Sequence, residues 1–345
     1  MRIGVLTGGG DCPGLNPAIR GFVLRSLELG HECIGLRNGW LGLVDGLTTP
    51  LGRDQVDDII AVGGTMLGSS RTNPFKPGRE DDLDKVLANI PALGLDAIAA
   101  LGGEDTLGVA AKLYARGVPT VGVPKTMDND LDCTDYTFGF DSAVSVATES
   151  IDRLRDTARS HNRVMVVEVM GRHAGWVALY AGIAGGADWI LLPEVNMDLD
   201  EMCQHLSARR AAGKNYGIVV ASEGTELNLP TTGETIVDSF GHVILSERGV
   251  GEYVAKEIEK RTSIETRYAV LGHIQRGGPP SVFDRVLASR LGIRAADLVN
   301  DGDFGKMSSI QGNNIVAVEL SKAVNRLKTV PNELYEEAKV LFASK

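Results

Sequence analysis

The sequence predicts an α/β protein with doubly wound, mostly parallel sheets. Short apolar runs alternate with helical patterns along the chain. Several of these runs are apolar throughout, as strands covered on both faces of a parallel sheet must be. Many of the 42 glycines fall where a strand candidate ends. At 345 residues the chain is too long for one typical core, so two packed α/β units are expected.

The strand candidates are 3–6, 33–36, 96–101, 118–123, 164–169, 189–192, 217–221 and 268–271. Helices fill the gaps. The clearest takes Asn16 as N-cap and Pro17 as first helical residue, and stops at Gly30. A second runs over 105–116 and is closed by Gly117. Residues 224–250 are polar and turn-rich and read as an excursion, with an exposed loop around 230–233.

Composition removes several function classes. The formal net charge of -10 argues against nucleic acid, whose phosphates need a net basic surface. The chain has no apolar run of 18 residues, and its N-terminus reads as a buried strand rather than a signal peptide, so a cytoplasmic protein is expected. Four cysteines without CxxC spacing suggest neither a zinc site nor a disulfide framework. Cys12, in a glycine-rich loop, reads as a small turn residue rather than a reactive thiol. P-loop and dinucleotide fingerprints are both missing.

What remains is suited to phosphoryl transfer. That chemistry needs a phosphate cradle, a metal ligand, a base beside the attacking hydroxyl and cations on the acceptor's own phosphate. TGGGDCPGLN (7–16) and GGEDTLG (102–108) each pass from strand through glycine loop to helix, so amides and a helix N-terminus can face an anion. PKTMDND (124–130) sets two aspartates two residues apart beside a lysine and a threonine, which points to a cation or a proton-transfer role. VLGHIQRGG (270–278) places His273 and Arg276 after a strand, with Arg suited to bidentate phosphate contact. Met170-Gly171-Arg172 and Asn162-Arg163 flank another strand and are expected to add cations near the same face.

Together GGEDT, PKTMDND, VVEVMGRHAGWVALYAGIAGGAD and VLGHIQRGG resemble the 6-phosphofructokinases, in motif order and over nearly the whole chain. The resemblance implies two Rossmann-like domains with the active site between them, and an oligomer of at least two subunits. A donor domain would hold 1–139 with 278–310, and a sugar-phosphate domain 140–277 with 311–345. Asp128 would take the proton from the sugar 1-hydroxyl, and Thr126 would hold the transferred phosphoryl group. Asp130 would support sugar or metal. Gly9 would lend its backbone N–H to the donor, with Gly103 in the same cradle. Arg71 and Arg172 would neutralise the phosphoryl in flight. Met170, Gly171 and Glu223 would meet the sugar ring, and His273 and Arg276 its 6-phosphate. Arg163 and Arg267 would reach that phosphate from the neighbouring subunit.

Two departures from the ATP-using pattern (GGDGS, PGTIDND) bear on the donor. Asp105 and Lys125 replace small glycines. An aspartate adds bulk and negative charge where a nucleotide's innermost phosphate would lie, and a lysine adds a cation where a short donor's phosphates would lie. The pair resembles the pyrophosphate-dependent members, which implies reversible transfer from pyrophosphate to fructose 6-phosphate with Mg2+. Glu104 stands where an aspartate is usual and is the candidate metal ligand. Trp40 stands where ATP enzymes often carry an adenine-stacking aromatic, or is core. The alternatives are an ATP-dependent 6-phosphofructokinase and a non-catalytic sugar-phosphate-binding subunit. The second predicts loss of the base or cradle, yet Asp128, Thr126 and Gly9 are all retained.

Overall fold

The computed structural model describes residues 1–227, 240 and 249–342. The loop expected around 230–233 lies outside them. The first sheet holds β1 (Arg2–Thr7), β2 (Glu32–Leu36), β3 (Thr48–Leu51), β4 (Ala97–Gly102) and β5 (Thr120–Pro124). The second holds β6 (Val164–Val169), β7 (Trp189–Leu191), β8 (Gly217–Ser222) and β9 (Thr266–Val270), and the first is completed by β10 (Lys306–Gln311) and β11 (Asn314–Glu319). The seven-stranded order is β11-β10-β5-β4-β1-β2-β3, and the four-stranded order is β7-β8-β6-β9. Both sheets are parallel apart from the edge pairs β2–β3 and β10–β11.

All eight expected strands are present, with bounds within two residues. β4 and β6 are buried along their whole length, and β1 sends alternate side chains to opposite cores, Ile3 and Val5 to one and Leu6 to the other. The unexpected strands β3 and β10 have mixed polarity and carry no continuous apolar signal, whereas the unexpected β11 has a short apolar run, 315–318, that stays half-buried at the sheet edge.

Two expectations are corrected. The first helix is Leu15–Glu28, capped by Gly14 at φ 110 rather than by Asn16. Asn16 is buried inside it and ties down a neighbouring loop: its amide donates to the Val62 carbonyl at 3.0 Å and its Oδ1 accepts from Met66 N–H at 2.8 Å. The expected assignment of 311–345 to the second unit is also wrong for its first part, because β11 pairs with β10 in the seven-stranded sheet. The final helix Asn332–Phe342 does join the second unit, where Tyr335, Ala338 and Phe342 enter the core.

The helix Val282–Asn300 returns to pack along Leu15–Glu28. Two glycines permit the approach. A Cβ on Gly21 would lie 2.4 Å from Ser289 O, and one on Gly292 would lie 2.2 Å from Ala18 O. No helix among the described residues is long and apolar enough to cross a membrane.

Candidate active site

Six strands from both sheets deliver their carboxyl ends to one cleft of about 320 Å³. β1 leads to Gly9 and Gly10, β4 to Gly103, Glu104 and Asp105, and β5 to Lys125, Thr126, Asp128 and Asp130. β6 leads to Met170 and Arg172, β8 to Glu223, and β9 to His273 and Arg276. Arg71 also lines the cleft. Ligands of open α/β sheets bind beyond the carboxyl ends of strands, and here two sheets contribute at once.

The glycine loops close around a threonine. A Cβ on Gly8 would lie 2.5 Å from Thr106 Oγ1, and one on Gly102 would lie 2.2 Å from Thr106 Cβ. A Cβ on Gly10 would lie 2.6 Å from Arg276 Nη1, and that guanidinium donates to the Asp11 carbonyl at 3.0 Å. Arg276 thus crosses from the second sheet onto the first loop. The helix Glu104–Tyr114 starts at the cleft with Gly103 as N-cap, so its positive end faces the site while Glu104 and Asp105 sit in its first turn.

Lys125 is only 3% exposed, and its Nζ donates to the Gly10 carbonyl at 2.5 Å. Burial lowers its pKa, partly countered by Asp128 and Asp130 among its neighbours. Asp128 N–H donates to Thr126 Oγ1 at 3.1 Å, and Asp128 Oδ1 is buried without a hydrogen-bond partner. Asn129, between the two aspartates, has φ 51. Burial first, and the Asp128 charge second, push the Asp130 carboxyl up to about 7. The same two causes, in the same order, push Glu223 up to about 7, against an opposing hydrogen bond in which Gly171 N–H donates to Glu223 Oε1 at 3.4 Å. Ionised carboxylates crowded into a dehydrated cleft favour a proton or a cation.

Several sequence expectations need correction. Gly9 lines the cleft, but its N–H donates to Ser70 O at 3.1 Å, so it must change partner to serve a ligand. Arg163, expected among the cations of the cleft face, does not line the cleft, and neither does Arg267, whose expected place is a neighbouring subunit's cleft. They stand toward the starting ends of β6 and β9, roughly 20 Å and roughly 10 Å of strand from the carboxyl ends at about 3.3 Å per residue, and both pair with Glu265, at 3.3 Å and 2.7 Å. Trp40 is 1% exposed and belongs to the core, so it offers no ring to an adenine. Burial pushes the Cys12 thiol up to about 12, which makes it inert, as the turn reading expects.

Gly10, Thr106, His173 and Leu327 also line the cleft and were not singled out from the sequence. The first three lie inside the quoted motifs. Leu327 comes from the stretch before the last helix, which carries no local motif.

The phosphofructokinase family model matches residues 2–299. The chain belongs to the phosphofructokinase family. A relative from Dictyoglomus thermophilum, named pyrophosphate–fructose 6-phosphate 1-phosphotransferase, is 53% identical, with 99% of each chain covered. An ATP-dependent 6-phosphofructokinase from Corynebacterium efficiens is 48% identical over 99% of each chain. The fold matches a crystal structure of pyrophosphate-dependent phosphofructokinase from Marinobacter aquaeolei with a TM-score of 0.82 at 22% identity, covering 100% of this chain and 92% of that one.

Proposed function

We propose that this phosphofructokinase transfers a phosphoryl group reversibly from pyrophosphate to the 1-hydroxyl of fructose 6-phosphate, giving fructose 1,6-bisphosphate. One observation carries the donor choice. The Lys125 ammonium is buried against the Gly9–Gly10 loop, with Asp105 lining the same cleft. A lysine has three donors, and one goes to Gly10 O, so a short anionic donor can take the others. Asp105 opposes a longer polyphosphate chain, and Trp40 has left the cleft for the core. The names of the relatives support this reading: the pyrophosphate enzyme is more similar than the ATP enzyme.

In this reading Asp128 accepts the hydroxyl proton through its unpartnered Oδ1, and Thr126 steadies both the loop and the phosphoryl group. Arg71 and Arg172 supply charge to the phosphoryl in flight, while Glu223, Met170 and Gly171 meet the sugar and His273 and Arg276 its phosphate. The unit built on the seven-stranded sheet then holds the donor, and the other unit the sugar.

Magnesium belongs to the proposal. No group of three His, Cys, Asp or Glu among the described residues is arranged to hold a metal. Mg2+ typically takes one or two carboxylates, keeping waters and substrate phosphates as its other ligands. The hard oxygens of Glu104 and Asp130, both lining one cleft, fit that habit. When bound, the ion would neutralise charge on the donor phosphates.

The assembly is proposed to be a homo-oligomer with a shared sugar-phosphate site. Arg163 and Arg267 do not line their own cleft. Exposed apolar side chains on the strand that carries Arg267 (Tyr268, Val270) suit a subunit contact. A cytoplasmic setting is also proposed, in keeping with four unpaired cysteines.

Steady-state kcat/KM with pyrophosphate and with ATP tests the donor in wild type, Asp105→Gly, Lys125→Gly and the double variant. Wild type should prefer pyrophosphate. The double variant should lose pyrophosphate use and gain ATP, and the two effects should not add because both residues face one ligand. A wild type faster with ATP overturns the donor assignment.

A further inference from the structure

We infer that Lys328 is a positioning residue for phosphoryl transfer, fixing through Asn129 the direction in which Asp128 faces the cleft. This rests on the reading of Asp128 as base.

Lys328 lies between the short helix Leu320–Ala323 and the last helix, far in sequence from the catalytic loop. Its ammonium donates to Asn129 Oδ1 at 3.0 Å, Thr134 O at 2.8 Å and Asp135 O at 2.9 Å. All three protons are thereby used. Asn129 Oδ1 also accepts Thr137 N–H at 3.0 Å, and Asn129 is 1% exposed. The acceptor that Lys328 grips therefore belongs to the left-handed residue joining Asp128 to Asp130. Asparagine is one of the few non-glycine residues that adopt φ near +51 readily, so the turn is open to Asn129 and the grip on its Oδ1 fixes how that turn is held.

The main chain of the same stretch repeats the attachment. Lys328 N–H donates to Asp130 O at 2.8 Å, and Leu327 bridges to Leu131 while lining the cleft. From the other side Trp176 Nε1 donates to Lys328 O at 2.8 Å, and Val330 N–H donates to Glu194 Oε1 at 2.9 Å. That carboxylate also accepts Gly175 N–H at 2.9 Å, just before the helix Trp176–Ala184. The strap thus ties the loop after β5, in one unit, to the helix after β6, in the other. A packing role alone needs only the strap's backbone and apolar contacts. The three-fold grip on the catalytic loop is what calls for an ammonium.

The test compares Lys328→Met, Lys328→Arg, Asn129→Gly and Arg326→Ala with wild type on the same phosphoryl donor. A wrong donor assignment would appear in wild type and leave the ratios untouched. Asp128→Asn in the same series checks the base independently. Lys328→Met should lower kcat by about 100-fold, the scale of a displaced base, with KM for both substrates within about three-fold. Lys328→Arg, which keeps charge and donors, should recover part of kcat. Asn129→Gly admits the same φ without the anchor and should show the same kcat-selective loss, less than additive with Lys328→Met. Arg326→Ala removes only an exposed contact to Asp132 on the same strap and should leave kcat unchanged. Thermal unfolding and circular dichroism establish that each variant is folded. A folded Lys328→Met with kcat within three-fold of wild type overturns the inference. If Lys328→Met does not fold, Asn129→Gly with wild-type kcat overturns it alone. Equal losses in Lys328→Arg and Lys328→Met, or KM changes as large as the kcat change, also overturn it.

Discussion

The Asp128 charge helps hold the carboxyls of Asp130 and Glu223 up to about 7, second in each only to burial. The sign of the linkage follows. A folded pKa near 7 against an unfolded value near 4 means the native state holds protons that the unfolded chain has released, so stability from these groups is lost as pH rises from about 4 to about 7. Asp128→Asn removes the proposed base and the repulsion together. It should lower kcat by about 10²–10⁴-fold, because an amide accepts no proton. It should also raise the Tm of the ligand-free protein at pH 8, where both neighbours are ionised, with the gain shrinking toward pH 5, where both hold protons. Near-normal kcat would exclude Asp128 as the base. A Tm below wild type at pH 8 would show that other contacts of the carboxylate outweigh its repulsion.

At the scale of elements, the paired helices Leu15–Glu28 and Val282–Asn300 give a sharper test of packing than any strand. Alanine is favoured over glycine in a helix by about 1 kcal/mol, but overpacking costs about 1–3 kcal/mol. Gly292→Ala forces a Cβ to 2.2 Å from a main-chain oxygen, which has little room to give, so overpacking should win and Tm should fall. Gly108→Ala, in the helix Glu104–Tyr114 with open space at its Cβ position, should raise Tm. Opposite signs for one chemical change are the expected result, and equal signs would refute the packing argument. The same contrast explains what was legible beforehand. Continuous apolar runs such as β4 announce themselves, as do loops whose charged residues follow a strand. β11 has an apolar run too short to stand out, half-exposed at a sheet edge, and Asn16 has the composition of a cap but spends its side chain on a loop some fifty residues away. Lys328 is invisible for the same reason, since a lone lysine in a linker gains meaning only from the acceptors that the fold brings to it.

For the whole molecule, the question is whether one chain contains a complete site. Six strand ends converge in a cleft within one subunit, but Arg163 and Arg267 sit at the far end of the four-stranded sheet. Their shared partner Glu265 holds them for the present, and exposed pairs of this kind are worth little, so an incoming phosphate could take them. If a neighbour's cleft receives them, Arg267→Ala should raise KM for fructose 6-phosphate far more than for the phosphoryl donor. A charge-assisted contact of this type is worth about 1.5–3 kcal/mol, or roughly 10- to 150-fold. The decisive version mixes subunits. On the proposed roles, Asp128→Asn damages the base in its own cleft, and Arg267→Ala damages the neighbour's sugar-phosphate grip. A hybrid dimer of the two carries both lesions in one cleft and neither in the other. Activity at low fructose 6-phosphate should therefore reappear in purified hybrids, up to about half the wild-type value per dimer. If each subunit were self-sufficient, the hybrid would show only the average of its parents, and that result would leave Arg163 and Arg267 as structural cations of their own sheet.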